Sequence, residues 1–264
     1  MKKDRRIVFF DIDGTIFEEG KGTPDSTREA LGLLKKQGHV PVVCTGRPIS
    51  TLFPEILDLE FSGIIGGAGT YVEYEGRVLR NLYLEHELVE RTVPRMEAVG
   101  CTVVLEGPDF LSYRKDGKAP LYYKVIGRLH REYPERVKEM EPDQDEVCKI
   151  SAQLGEPEAF DAMIPELKKE FSVVRYQSFP FVEMMPAGIN KADGIQMLID
   201  ELQIPRTHTY AFGDGPNDLE MLQYVQYGTA MGNSEDSVFK TAKYKTEGIW
   251  EDGIYLGLKR YGLI

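Results

Sequence analysis

The chain has 264 residues, 42% hydrophobic and 28% charged, which is the composition of an ordinary globular protein and enough chain for one large domain or two modest ones. Its formal net charge of −11 argues against non-specific nucleic-acid binding, because a phosphate backbone rewards basic surfaces, yet a small anion held by a local positive cluster remains open. No apolar run is long enough to cross a bilayer, and the basic start Met1-Lys2-Lys3-Asp4-Arg5-Arg6 precedes an apolar stretch too short for a signal peptide, so neither membrane insertion nor secretion is expected.

Ile7-Val8-Phe9-Phe10 reads as a buried strand that runs out into Asp11-Ile12-Asp13-Gly14-Thr15. Residues 26–37 read as a helix with Gly38 just past its end. Val40-Pro41-Val42-Val43-Cys44 follows as a second buried strand, and Gly63-Ile64-Ile65 as a weaker third. Short continuous apolar runs separated by helices predict a parallel sheet covered on both faces. From Leu82 to Met184 the pattern changes. Alternation over Tyr122-Tyr123-Lys124-Val125-Ile126 and Val147-Cys148-Lys149-Ile150-Ser151 predicts half-exposed antiparallel strands. A helix over 158–170 and strands at 173–176 and 181–184 complete what reads as a second α+β domain inserted into the first, with crossings near 82 and 185. The first rhythm then returns. Residues 190–203 set Ile195, Leu198, Ile199 and Leu202 on one helical face. A strand at 208–212, a helix from near Asn217, a strand at Gly228-Thr229-Ala230-Met231 and helices near 236–242 and 253–261 follow.

In an open parallel sheet, ligands gather beyond the carboxyl ends of the strands. Asp11–Thr15, Thr45-Gly46-Arg47 and Gly213-Asp214-Gly215-Pro216-Asn217-Asp218 each follow a predicted strand, so they can share one crevice. Asp11 is the better nucleophile candidate, since a carboxylate takes a phosphoryl group when a metal and cations neutralise the repelling charges. Asp13 is close enough to act as acid on the leaving oxygen and then as base on water. Asp214, with Asp11 and a backbone carbonyl near Asp13, offers the hard oxygen ligands Mg²⁺ prefers. The Thr45 hydroxyl and the N–H groups around Gly46 can hold phosphate oxygens, with Arg47 adding charge. Lys191, in the first turn of a helix, faces the positive end of the dipole, an unfavourable placement that a bound anion reverses.

Each segment also has a plainer reading. Asp13-Gly14 could be a hairpin turn, 213–218 a glycine-rich surface turn, Thr45 a helix cap, and Arg47 and Lys191 solvated charges. A calcium loop fits poorly, because its sixth position holds Ile16 and its twelfth Gly22. Cys44, Cys101 and Cys148 indicate neither a disulfide framework nor a zinc site, and suit a reducing cytoplasm. His39, His86, His130 and His208 lack metal-ligand spacing, and no P-loop pattern occurs. The aromatics Tyr113, Tyr122 and Phe179 read as packing groups, and the acidic stretch 132–146 as a solvated helix and loop.

These segments in this order resemble the haloacid dehalogenase superfamily of aspartate-dependent phosphohydrolases: Asp11–Thr15 its first motif, Thr45 its second, Lys191 its third and Gly213–Asp218 its fourth. Cys44-Thr45-Gly46-Arg47-Pro48, Asn190-Lys191, Asn217-Asp218-Leu219-Glu220-Met221-Leu222, Ala230-Met231-Gly232-Asn233 and Glu251-Asp252-Gly253 look like the Cof-type branch. The resemblance implies an α/β fold: a Rossmann-like parallel-sheet core over 1–81 and 185–264, with an inserted α+β cap domain over 82–184 that sets substrate specificity. It implies Asp11 as nucleophile and Asp13 as acid/base. Asp11, Asp13 (through its carbonyl) and Asp214 would hold Mg²⁺, with Asp218 supporting the metal shell. Thr45, Gly46, Lys191 and Asn217 would contact phosphate or substrate.

Two departures stand out. Gly66-Gly67-Ala68 replaces the family's usual Asn-Gly-Ala, and Ser234 stands where alanine is commoner. The expected activity is Mg²⁺-dependent hydrolysis of small phosphorylated metabolites, sugar phosphates foremost, through an aspartyl-phosphate. A phosphomutase or phosphotransferase on the same core, or a non-catalytic phosphoacceptor module, are the rivals. The expected protein is cytoplasmic, a monomer or weak homodimer, with no nucleic-acid or membrane partner.

Overall fold

The computed structural model describes residues 5–114 and 124–264. In chain order, β1 (Ile7–Phe10) leads to α1 (Asp25–Lys36), β2 (Val40–Cys44), α2 (Pro54–Leu57), β3 (Gly63–Gly66), β4 (Tyr71–Tyr74) and β5 (Arg77–Asn81). Then come α3 (His86–Ala98), β6 (Thr102–Glu106), β7 (Leu111–Tyr113), α4 (Lys124–Glu132), β8 (Val137–Glu139), β9 (Lys149–Gln153), α5 (Pro157–Leu167), β10 (Phe171–Tyr176) and β11 (Phe181–Pro186). The chain ends through α6 (Lys191–Glu201), β12 (Thr209–Gly213), α7 (Leu219–Tyr224), β13 (Tyr227–Ala230), α8 (Asp236–Thr241), β14 (Tyr244–Lys245) and α9 (Gly253–Arg260).

Two compact units emerge: Met1–Gly46, Phe53–Arg80 and Lys191–Ile264 form the first, and Arg47–Leu52 with Asn81–Asn190 the second. The first unit holds an eight-stranded sheet in the order β14-β13-β12-β1-β2-β3-β4-β5. Its strands from β14 to β3 run parallel, while β4 turns back antiparallel to β3. Every residue of β1, β2 and β12 is buried, as a strand covered on both faces must be. Ile195, Leu198 and Ile199 of α6 join Ile7, Val42 and Ala211 in one apolar cluster, so the helical stripe legible in the sequence is the face that packs on the sheet. Leu31 and Leu34 of α1 are likewise buried.

The second unit is α+β, with a six-stranded sheet ordered β10-β11-β9-β6-β7-β8. Its strands pair antiparallel except β7 with β8. Three expectations in this region need correction. The stretch 122–126 does not continue as a strand: from Lys124 onward it is helix α4, while Tyr122 and Tyr123 lie outside the described residues. The alternating apolar signal there spans too few residues to separate a strand from one turn of helix. The acidic stretch 132–146 is not simply solvated, because it contributes β8 and a buried Asp145 that accepts from Ser112 Oγ at 2.5 Å. Arg47, offered as a solvated side chain or a phosphate contact, is not solvated: it is buried and donates to the Thr51 carbonyl at 3.2 Å. Among the other expected packing groups, Tyr113 is buried with its hydroxyl 2.6 Å from His130 Nε2, whereas Phe179 is 39% exposed and rests against Tyr176.

Candidate active site

The β1 strand ends at Phe10, and the backbone of Asp11 still bonds to β12, its N–H donating to the Phe212 carbonyl at 3.1 Å. Asp11 and the 213–218 segment are thus neighbours because β1 and β12 are neighbours in the sheet. Beyond β12 the chain makes a 3₁₀ turn at Pro216–Asp218. The backbone N–H groups of Asp214 and Gly215 both donate to Asp218 Oδ2 at 3.0 Å, which folds the carboxylate back beneath the strand end. That return path needs Gly213, where a Cβ would lie 2.5 Å from the Asp218 carboxyl carbon.

Lys191, the first residue of α6, is fully buried. Its ammonium donates to Asp11 Oδ1 and to Asp218 Oδ1, each at 2.6 Å. The unfavourable position at the positive end of a helix is offset by two carboxylates, so the solvated-lysine reading fails. Burial alone would lower the Lys191 pKa, but Asp11 and Asp218 outweigh it and hold the ammonium charged. For Asp11, burial pushes the carboxyl up from 3.8 to about 7, with the Asp218 charge adding to the rise and Lys191 opposing it. Asp214 is also raised well above the usual carboxylate range, by burial first and then by Asp11 and Asp218.

The carboxylates of Asp11, Asp214 and Asp218 bring ligand atoms within 4.8 Å of one another. When all are ionised, three carboxylates against one ammonium leave two negative charges in excess in a largely desolvated place. Burial first, and the neighbouring carboxylates second, raise the pKa values of Asp11 and Asp214. A divalent cation would cancel that excess, and oxygen donors of this kind suit Mg²⁺. The residues present therefore fit such an ion. Asp218 contributes less to it than its position suggests, since both its oxygens are already engaged.

Sequence reasoning missed two supports of this centre. Thr15 Oγ1 donates to Asp214 Oδ1 at 2.8 Å, so the last residue of the first acidic segment orients the carboxylate of the second. Gly14 lies between them at φ +80°, and a Cβ there would sit 2.2 Å from Asp214 Oδ2. Asn233 is the second: its Nδ2 donates to the Gly14 carbonyl at 2.8 Å and its Oδ1 accepts from Ile249 N–H at 3.0 Å. Thr15 and Asn233 both stand in the motifs that carry the family resemblance, so their residue types were the available signal.

The remaining candidates sit as follows. The Asp13 side chain is exposed, outside the carboxylate cluster. Thr45 and Gly46 are buried directly after β2, and the Thr45 backbone bonds to Ile65 at 2.8 Å and Ala68 at 2.9 Å. The corner that lacks the family's asparagine thus meets Thr45 through its backbone, with Ala68 at φ 55°. No helix starts at Thr45; the nearest is a 3₁₀ turn at Ile49–Thr51. Arg47 groups with the second unit. Asn217 lies on the same 3₁₀ turn as Asp218. Among the described residues, no helix is long and apolar enough to cross a membrane.

A family model of haloacid dehalogenase-like hydrolases matches residues 8–258. The chain is similar to a Bacillus subtilis (strain 168) protein named "Putative phosphatase YkrA", 32% identical over 263 residues and covering 99% of each chain. It is also similar to the 5-amino-6-(5-phospho-D-ribitylamino)uracil phosphatase YitU of Bacillus subtilis (strain 168), 28% identical over 97% of each. Among solved structures, the subclass IIB sugar phosphatase BT4131 superposes with a TM-score of 0.83 at 26% identity, covering 98% of this chain and 100% of that one. The chain belongs to the haloacid dehalogenase-like hydrolases, in their Cof-type branch, as an enzyme of phosphoric monoester hydrolysis.

Proposed function

We propose that the protein is a Mg²⁺-dependent phosphatase of small phosphorylated metabolites, sugar phosphates foremost, working through an aspartyl-phosphate on Asp11. The observation that carries this reading is Lys191 held 2.6 Å from both Asp11 and Asp218 beside Asp214. A buried carboxylate pushed toward protonation is a poor nucleophile, and the ammonium on one of its oxygens opposes that rise and favours the anion. The names of the relatives point the same way, toward a polyol-bearing phosphate and a sugar phosphate.

In this reading Asp11 attacks phosphorus and the leaving alcohol takes a proton from Asp13. Asp13 then removes a proton from the water that opens the aspartyl-phosphate, returning Asp11 as a carboxylate. The exposure of the Asp13 side chain suits a group that must reach both a leaving oxygen and a water. Lys191 balances charge on the attacking carboxylate, while Thr45, Gly46 and Asn217 bind phosphate oxygens. Mg²⁺, held by Asp11, Asp214 and the Asp13 carbonyl with Asp218 in support, would supply charge neutralisation between phosphate and carboxylate. The catalytic core is assigned to 1–81 and 185–264, and the segment 82–184 is assigned as the cap that selects the alcohol.

The test is phosphate release from para-nitrophenyl phosphate with Mg²⁺. Many turnovers by the wild type and none by Asp11→Asn are expected. One labelled phosphate per chain without turnover would mean a phosphoacceptor module. Transfer to an added acceptor sugar in place of release would mean a mutase or phosphotransferase.

A further inference from the structure

Asp13, assigned to move protons at the leaving oxygen, has an exposed side chain, so burial does not fix its place. Its backbone opens a tightly wound segment. The Ile12 carbonyl accepts from the N–H groups of Thr15, Ile16 and Phe17 at 3.2, 3.0 and 2.9 Å, and Gly14 N–H donates to the Phe17 carbonyl at 3.0 Å. Asp13 and Phe17 thus lie side by side as an isolated bridge, anchored by the buried side chains of Ile12, Ile16 and Phe17. Glu18 follows at once and starts a small hairpin. Its N–H donates to the Gly22 carbonyl at 3.0 Å, and its carbonyl accepts from Gly22 N–H at 2.8 Å. Whatever holds Glu18 therefore holds the backbone beside Asp13.

Residues 246–253 form a fixed post within the same unit. Thr246 Oγ1 donates to the Gly253 carbonyl at 2.7 Å and Gly253 N–H to the Gly248 carbonyl at 3.1 Å, which closes the loop on itself. The closure is tight: a Cβ at Gly253 would lie 2.1 Å from the Glu247 carbonyl oxygen, and Asp252 takes a left-handed φ of 60°. This post meets the Asp13 segment twice. Asn233 links Ile249 N–H to the Gly14 carbonyl, as in the carboxylate centre above. Trp250 Nε1 donates to Glu18 Oε2 at 2.5 Å, while Lys21 Nζ lies 2.9 Å from Glu18 Oε1 and 5.7 Å from the centre of the Trp250 ring. The two contacts hold the residues that follow each member of the Asp13–Phe17 bridge.

Stability is a weak account of the second contact. Trp250 is 45% exposed, and ion pairs and cation–π contacts so open to water add little to folding. What the contact supplies is direction, a charge-assisted hydrogen bond between residues 232 positions apart. Direction matters at Asp13, because a displacement of about 1 Å costs a reacting group up to about a hundredfold in rate.

We propose that Trp250 and Glu18 are positioning residues for Asp13: their hydrogen bond fixes the hairpin 18–22 against the 246–253 loop and so sets the Asp13 carboxyl at the leaving oxygen. The inference rests on the phosphatase reading and adds to it two residues outside the carboxylate cluster. As the P–O bond to the alcohol breaks, its electron pair passes to the leaving oxygen and the Asp13 proton follows. An alcohol that is stable as an anion departs without that proton, so the worth of the tether rises with the basicity of the leaving group.

The test measures kcat/KM of the full chain with Mg²⁺ on para-nitrophenyl phosphate and phenyl phosphate, for wild type, Trp250→Phe, Glu18→Ala, Glu18→Gln and the double variant Trp250→Phe with Glu18→Ala. The two substrates have nearly the same shape, but nitrophenolate leaves unaided, whereas phenolate is as basic as an ionised tyrosine. Because kcat/KM covers the steps up to departure of the alcohol, the later attack of water does not enter. Trp250→Phe and Glu18→Ala each lower kcat/KM for phenyl phosphate about tenfold, part of what a placed acid contributes, and keep para-nitrophenyl phosphate within about twofold of wild type. Glu18→Gln retains an oxygen for the indole N–H and most of the wild-type value. The double variant loses no more than either single one, because both changes cut the same bond. Equal losses on the two substrates are what a merely structural role gives, and they overturn the proposal, as do unchanged values or losses that multiply in the double variant. Wild-type turnover of para-nitrophenyl phosphate without any of phenyl phosphate overturns it as well, since no proton is then delivered. Absence of turnover on both by the wild type would instead sink the phosphatase reading itself.

Discussion

Replacing Lys191 with methionine tests the electrostatic core of the site, because methionine keeps an aliphatic stem of similar reach and deletes only the ammonium. In the native structure that ammonium touches two buried carboxylates, Asp11 and Asp218, at 2.6 Å each. Removing one partner of a buried pair costs about 3–5 kcal/mol, because the charge left behind is desolvated and uncompensated. For a unit of this size, each kcal/mol moves Tm by about 2–4 °C, so Lys191→Met lowers the first unit's Tm by about 10 °C in EDTA. The protein's single tryptophan, Trp250, lies in that unit, which makes its fluorescence the appropriate probe of this transition. Turnover of para-nitrophenyl phosphate falls by about 10²–10³, the usual cost of deleting one charge-stabilising group from a catalytic centre. Lys191→Met combined with Asp218→Asn restores part of the lost stability, since the second change removes a charge the first one stranded. A Tm shift below about 2 °C, or additive losses in the double variant, would refute the claim that the three groups act as one buried network.

Gly14→Ala puts a Cβ where Asp214 Oδ2 now lies, at a left-handed φ of +80°, so activity drops at least about a hundredfold; a variant with full kcat/KM at wild-type Mg²⁺ concentration would count against Asp214 as a ligand. Asn233→Ala removes the amide bridge between the Gly14 carbonyl and Ile249 N–H, costing about 1–2 kcal/mol in urea unfolding and lowering kcat several-fold with KM little changed, because the turn carrying Asp13 loses its tether. The Asp11 pKa of about 7 against 3.8 in an open chain means that the folded state holds the extra proton, so this group's stabilisation of the metal-free protein is full below pH 4 and is lost as pH rises through 7. Three pH units at about 1.36 kcal/mol each cap that loss at about 4 kcal/mol. In the proposed reading Mg²⁺ binds the ionised form and competes with the proton, so it is expected to raise Tm more at pH 8 than at pH 5, and an equal rise at both would contradict the assignment.

The first unit was largely legible because its signals are local. The apolar runs 7–10, 40–44 and 208–212 became β1, β2 and β12 almost to the residue, and the stripe Ile195, Leu198, Ile199 became the buried face of α6. The antiparallel β4 and the following β5 were not foreseen: Tyr71–Tyr74 and Arg77–Asn81 are short and interrupted by charged residues. In the second unit, α3 with its internal Pro94 and the strands β6 to β8 were not foreseen, and 122–126 was read with the wrong period. The acidic segments were legible as chemistry, but their mutual contacts were not: Lys191 lies 180 positions from Asp11, and only the β1–β12 pairing brings Asp11 to the 213–218 turn.

The two buried lysines show what decides legibility. Lys191 and Lys149 have the same immediate electrostatics, an ammonium between two carboxylates, fully desolvated and held charged by them. Around Lys191 the acids stand at strand ends among Gly14, Gly213 and Gly215, a pattern that is costly for folding and therefore conspicuous in the sequence. Around Lys149 the acids stand inside regular strands, at positions that alternation alone assigns to an ordinary exposed face. Only the cross-strand register turns Glu106, Lys149 and Glu183 from three surface charges into one buried group. The Lys191 cluster needs special backbone and announces itself; the Lys149 cluster needs only side chains on regular strands, so it becomes visible once pairing is known.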